Sequence, residues 1–261
     1  MSRTNRPENE AATSPAPIAL RLDAVTKRFP TAHTAVLEGI DLTVHQGDFV
    51  CLLGASGCGK STLLSLLAGL QTPSSGSVRV AGGGAALMFQ EAALLPWLTA
   101  AGNVELALRL AGVPRPRRAA RALELLDLVH LAGAGDRRVH ELSGGMRQRV
   151  ALARALAQDR EVLLMDEPFA ALDAITRDLL HEELERVWRT TGRTVVFVTH
   201  NVREAVRLGR RVVLMSSRPG RIVREWAVRI EGERRIESPE VAALALEITD
   251  HLREEIRRHA A

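Results

Sequence analysis

Phe49-Val50-Cys51-Leu52-Leu53-Gly54-Ala55-Ser56-Gly57-Cys58-Gly59-Lys60-Ser61-Thr62 reads as a buried strand, a glycine-rich turn and the opening of a helix that continues through Leu67. Glycines let a backbone wrap closely around an anion, and the amides of the turn and of the helix start converge on it. The segment is a phosphate cradle. Lys60 has the reach for β- and γ-phosphates, and the Ser61 hydroxyl can hold Mg²⁺. Composition singles out Lys60, because among 35 basic residues only Lys27 and Lys60 are lysines. A compact ammonium fits between phosphate oxygens where a planar guanidinium fork does not.

Outward from the cradle, strand and helix patterns alternate. Residues 18–29, 35–44, 77–80 and 86–89 read as strands, and 91–159 carries helical periodicity. Within that stretch, 117–130 is expected to be a helix with Leu123, Leu126 and Leu128 on its apolar side. A second helix opens at Ser143 and runs through Leu156. Strands return at 162–165, 194–199 and 212–215, with a helix over 176–191. This order predicts an α/β fold with a mostly parallel sheet covered on both faces, and ligand groups at the carboxyl ends of its strands. Residues 1–17, polar and rich in Pro, Ser and Glu, read as a disordered tail ahead of a domain spanning 18–230. The extension 231–261 reads as helical, with Val241, Leu244, Ile248, Leu252 and Ile256 facing the body, Ser238 as N-cap and Pro239 in the first turn.

Size and charge exclude several classes. The chain has 261 residues, 25% of them charged and 46% hydrophobic, which suits a globular domain with a sizeable core. Its best membrane candidate, 92–113, is interrupted by Pro96, Asn103, Glu105 and Arg109, so nothing reads as a spanning helix. There is no secretory h-region, and two cysteines, Cys51 and Cys58, make no disulfide framework. The expected setting is cytosolic. Arginine clusters at 115–118, 137–138 and 210–211 are scattered among acids, and aromatics are only 3%, so they read as solvated surface with no nucleic-acid partner.

Four further groups carry chemistry. Asp166 and Glu167 end an apolar strand: one acid can position Mg²⁺, directly or through water, and the other can polarise an attacking water. His200 ends the 194–199 strand at the same edge, where it can bond a γ-phosphate or hold the Glu167–water geometry. Gln90 ends another and can touch the metal or its water. Leu142-Ser143-Gly144-Gly145-Met146-Arg147-Gln148 opens a helix with free amides, a second anion site. One nucleotide loop and two phosphate-binding helix starts suggest a site shared across a symmetric, isologous dimer.

Together these motifs resemble the ATP-binding subunits of ABC transporters, over about 18–226. The phosphate loop 54–61, Gln90, the signature 142–148, the acid pair 166–167, the D-loop Ala171-Leu172-Asp173 and His200 stand in the family's order. The resemblance implies a P-loop NTPase core with an N-terminal antiparallel β part and a helical subdomain inserted at about 91–159. It also implies ATP on Phe29, as adenine-stacking aromatic, and on Gly54–Thr62, with Mg²⁺ held by Ser61, Gln90 and, through water, Asp166. Glu167 and His200 would promote hydrolysis, with Ser143, Gly144 and Gly145 closing from a second copy and Asp173 beside them. Implied partners are a homodimer mate, integral membrane permease subunits and, indirectly, a periplasmic or lipid-anchored solute-binding protein. The subunit would sit peripherally on the cytoplasmic face of the cell membrane. Leu94-Leu95-Pro96-Trp97, Met146 and 217–222 resemble subunits of nitrate, sulfonate and taurine importers; thiamine-precursor importers are similar. Leu94–Trp97 is an expected permease contact. One departure is a short, glycine-rich connection over 80–86, expected to alter slightly the surface of the nucleotide lobe. Other readings are an exporter ATPase, a soluble ABC ATPase acting on nucleic acid, and a P-loop kinase, which leaves 142–148 unexplained.

Overall fold

Strands β3 (Phe49–Leu53), β6 (Val162–Asp166), β7 (Thr194–Val198) and β8 (Arg211–Met215) are buried along nearly their whole length. Continuous apolar runs of this kind form the middle of a sheet covered on both faces. The computed structural model describes residues 16–30, 33–230, 232, 234, 235 and 238–260. The expected tail therefore lies outside the described residues, apart from Ala16 and Pro17. With β5 (Ala85–Met88) and β9 (Ile222–Ala227), these strands make a six-stranded sheet ordered β5-β6-β7-β3-β8-β9. All neighbours pair in parallel except β8 and β9.

Alternation along each strand sends its side chains to two cores. Phe49, Cys51, Leu53, Leu163, Met165, Val195 and Phe197 pack on one face with the helices α2 (Ala100–Leu110), α3 (Arg115–Leu128), α4 (Gly144–Leu156) and α5 (Ala174–Thr191). Val50, Leu52, Leu164, Val196 and Val213 pack on the other with α1 (Lys60–Leu67) and a three-stranded antiparallel sheet. That second sheet has the order β2-β1-β4, from β1 (Ile18–Lys27), β2 (Leu37–His45) and β4 (Ser75–Val80). The α/β architecture agrees with the expectation. β1 ends at Lys27, so Phe29 lies beyond the strand rather than in it.

Three details differ from the periodicity reading. α3 starts two residues early and ends at Leu128, and its buried face is Ala122, Leu125 and Leu126; Leu123 points to solvent. The spacing 122, 125, 126 follows a 3.6-residue turn, which 123, 126, 128 does not. The last helix, α7 (Pro239–Ala260), lays Val241, Ala245 and Ile248 into the first core, with Leu244 and Leu252 against it, but Ile256 is exposed. The Ser238 hydroxyl is buried without a hydrogen-bond partner, so it does not cap α7. The short connection before β5 sits at the amino edge of the sheet. There Arg160 Nη1 donates to Gly83 O at 2.6 Å, at the end opposite the phosphate loop.

Parallel register sets the site. Val198 pairs with both Leu52 and Asp166, so the carboxyl ends of β3, β6 and β7 stand level. Whatever follows these strands emerges side by side.

Candidate active site

The loop after β3 folds because two glycines occupy positions closed to any side chain. At Gly59, with φ of 102°, a Cβ would lie 2.7 Å from Leu37 Cδ2; at Gly54 it would lie 2.7 Å from Cys58 Sγ. Gly59 precedes α1 without a side-chain cap, which leaves the first amides of the helix free for an anion. Lys60 is only 6% exposed and curls into the cradle, its Nζ donating to Gly54 O at 2.8 Å and Ala55 O at 3.0 Å. These carbonyls are weaker partners than a phosphate oxygen, so the ammonium is held where a triphosphate can claim it.

The Ser61 hydroxyl stands close enough to the Asp166 carboxyl, at the end of β6, to favour its charged form. Burial pushes the Asp166 carboxyl up; the Ser61 hydroxyl opposes this, the neighbouring Glu167 charge adds to it, and the Lys60 ammonium opposes it again. A desolvated carboxylate beside a hydroxyl, with a second acid adjoining, is an oxygen donor set that a hard cation such as Mg²⁺ fits.

Glu167 takes φ of 44°, a left-handed backbone that costs a non-glycine residue about 1–3 kcal/mol. Its amide still donates to Val198 O at 3.0 Å, which keeps the turn pinned to β7. The twist turns the side chain toward His200, whose Nδ1 lies 2.8 Å from Glu167 Oε2. With the carboxylate ionised, the ring N–H is the donor. Beside this pair a cavity of about 30 Å³, lined by Phe169, Ala170, Arg177 and Thr199 among others, has room for a water molecule.

Lys60, Ser61, Asp166, Glu167 and His200 thus converge at one edge. The other expected residues stand apart: among the described residues no hydrogen bond joins Ser143, Gly144 or Gly145 to the phosphate loop of the same copy. Ser143 caps α4, its hydroxyl accepting from Met146 N at 3.3 Å. Asp173 caps α5 through Thr176 N at 3.0 Å, and that bond holds its carboxyl below the usual range. The two helix starts touch, since a Cβ on Gly145 would meet Thr176 Cγ2 at 2.6 Å. Phe29 is half-buried with Lys27 Nζ 5.1 Å over its ring. Gln90 is exposed, and its carbonyl accepts from Gln148 Nε2 at 2.9 Å, which ties the loop after β5 to α4.

Two contacts escaped the sequence reading because they join distant segments. The Arg218 guanidinium lies against the phosphate loop, its Nη2 3.1 Å from where a Gly57 side chain would begin. Gly220 presses on the same loop: a Cβ there would stand 2.2 Å from Cys58 O. Gly220→Ala is therefore expected to displace the loop and weaken ATP binding at least tenfold, within the roughly 1–3 kcal/mol that overpacking costs. A nucleotide titration of the folded variant checks this, and an unchanged affinity would show the loop to be more pliant than its packing implies.

The arrangement defines a P-loop ATPase site at the edge of a parallel sheet. Residues 37–170 match the family model described as ABC transporter, and the chain belongs to that family as an ATP-binding subunit. It is 54% identical over 199 residues to the taurine import ATP-binding protein TauB of Burkholderia pseudomallei (strain K96243), covering 74% of this chain and 76% of that one. The TauB protein of Pseudomonas putida (strain KT2440) is 49% identical over 211 residues, 78% of this chain and 80% of its own. Among solved structures, the dimeric post-hydrolysis state of the ATP-binding cassette MJ0796, bound to ADP and Pi, superposes with a TM-score of 0.70 at 33% identity. That match covers 81% of this chain and all of the other.

Proposed function

We propose that the chain is the ATP-hydrolysing subunit of an importer for taurine or a closely related sulfonate, attached peripherally to the cytoplasmic face of the membrane. The observation that carries the hydrolytic role is the Glu167–His200 pair set beside Ser61, Asp166 and Lys60 at level strand ends. The cargo rests on the taurine-import relatives at about half identity.

In this mechanism the amides of 54–62 and Lys60 bind the triphosphate, and Phe29 supplies a π-face for the adenine. Ser61, Gln90 and, through water, Asp166 would hold Mg²⁺, which would supply positive charge to offset that of the triphosphate. Glu167 orients a water in the adjacent cavity and accepts its proton at Oε1 or Oε2. His200 keeps the carboxylate in place through its Nδ1–H, and as an imidazolium it would also donate from Nε2 to the γ-phosphate. Ser143, Gly144 and Gly145 of a second copy close over the same phosphate with the free amides of α4, and Asp173 stands alongside. Such closure accounts for a signature helix unbonded to its own loop.

The helical segment would carry closure to the permease. A groove of about 380 Å³ runs between α2 and α4, lined by Leu95, Leu106, Leu110, Arg154 and others. Leu110 in its wall is 78% exposed, and Trp97, two residues beyond the lining Leu95, is 66% exposed. Apolar floor and basic rim suit a short amphipathic segment of the membrane subunit. Leu110→Glu is expected to cut transport-coupled turnover tenfold or more, on the scale of about 2 kcal/mol for an interface anchor. ATP affinity of the isolated subunit should stay unchanged, and transport at the wild-type rate would move the contact elsewhere.

No helix among the described residues is long and apolar enough to cross a membrane. The cargo test is reconstitution with permease and solute-binding protein in vesicles. Taurine-dependent ATP hydrolysis, weaker with nitrate or a thiamine precursor, is the expected result. Stimulation by one of those instead would reassign the cargo and leave the ATPase role standing.

A further inference from the structure

Behind His200 lies a buried polar chain that the proposed hydrolytic mechanism does not use. Glu204, on the helix α6 (Val202–Leu208), is 5% exposed, and both of its carboxylate oxygens are engaged. Oε1 is 2.5 Å from Nε2 of His181, itself 1% exposed on α5. Oε2 accepts from the Thr199 hydroxyl, which in turn accepts from Asn201 N at 3.0 Å. Thr199 and Asn201 bracket His200. The far side of the His181 imidazole, at Nδ1, meets Arg207 Nη1 at 3.5 Å and Asp178 Oδ1 at 3.7 Å, and Arg207 pairs with Asp178 at 3.0 Å.

The same face of α5 holds the Glu167 loop. Arg177, one turn before His181, donates from Nε to Phe169 O at 3.2 Å and from Nη2 to Leu172 O at 2.6 Å. The Phe169 ring packs edge-on against His181 with centroids 5.6 Å apart. Asp173, one turn earlier still, caps the helix. Positions 173, 177 and 181 thus form one stripe, the i, i+4 spacing of a helix, and it grips both strand-end loops.

We infer that His181 is a positioning residue for His200. Acting through Glu204 and Thr199, it fixes the turn that presents the His200 imidazole to Glu167, and it couples that turn to the helix begun at Asp173. A buried carboxylate must have its lone pairs satisfied, so it dictates where its donors sit. Thr199 is one donor and His181 the other; removing His181 frees Glu204 to turn, and the Thr199–Asn201 bracket with it.

The inference rests on the ATPase reading of Glu167 and His200, so wild-type turnover and its loss in Glu167→Gln are measured first. The test is a double-mutant cycle on the full chain, with single-turnover ATP hydrolysis, ATP affinity and melting temperature for each variant. His181→Leu should lower turnover about tenfold with ATP affinity unchanged, the split expected when only transition-state geometry is lost. His181→Gln, which keeps an N–H for Glu204, should recover to within about threefold, and His181→Leu should have no further effect in a His200→Ala background. An equal loss in that background, no loss at all, or parallel losses of affinity and turnover would overturn the inference while leaving the ATPase reading intact. A wild-type chain without turnover overturns both. If His181→Leu does not fold, Thr199→Val removes the hydroxyl at constant shape and runs through the same cycle under the same criteria.

Discussion

Glu167→Gln is expected to slow ATP turnover by about 10²–10⁴-fold, the range a positioned general base contributes. The amide keeps the size of the side chain and can still accept from His200, so the loop geometry survives and only basicity is lost. ATP affinity should therefore stay near wild type. With binding intact and cleavage stalled, ATP-loaded protein should accumulate as a dimer, since each nucleotide would bridge Gly54–Thr62 of one copy and Ser143–Gly145 of the other. Phosphate release, nucleotide titration and light scattering on one preparation check all three expectations. Undiminished turnover would take the base role from Glu167 and turn attention to Asp166, the adjacent acid. A stalled but monomeric protein would instead separate the base from the shared-site geometry.

Lys60→Ala is the second large effect. The ammonium contributes one charge-assisted hydrogen bond or more to the triphosphate, about 1.5–3 kcal/mol each, so ATP should bind roughly 10- to 150-fold more weakly. The loop itself also depends on this side chain. Nζ now satisfies Gly54 O and Ala55 O, and without it both carbonyls must find water or rotate. Lys60→Arg separates the two contributions. It restores the charge, but a planar fork cannot point one ammonium at two carbonyls and a phosphate in turn, so recovery should be partial. An ATP titration of Lys60→Ala matching wild type would refute the cradle.

Much of this was legible in the chain because the decisive elements are local. Residues 49–62 specify strand, turn and helix within one short stretch, and 162–165 and 195–198 are unbroken apolar runs that read as strands buried on both faces. β9 is not legible in the sequence, since it is an edge strand in which only Trp226 is buried and the pattern 222–227 carries almost no alternation. α6 has seven residues, too few for periodicity to declare itself. Leu123 faces solvent although its type favours burial, because Ala122 holds the place in the buried stripe with Leu125 and Leu126.

The site divides in the same way. Strand-end acids and the terminal histidine could be foreseen, because parallel strands deliver their ends to one edge. Arg218 over Gly57, Gly220 under Cys58, and His181 behind Glu204 could not. Each contact joins segments more than 20 residues apart, and no spacing rule announces such a meeting.

The left-handed torsion at Glu167 has a consequence for durability. Glycine at that position would relax the turn and toughen the fold against heat, yet it would leave the neighbouring imidazole nothing to hold. Thermal resilience and the proposed hydrolytic role pull this one residue in opposite directions, so stabilised versions of the subunit should be sought at its surface and helix ends, with residue 167 left alone.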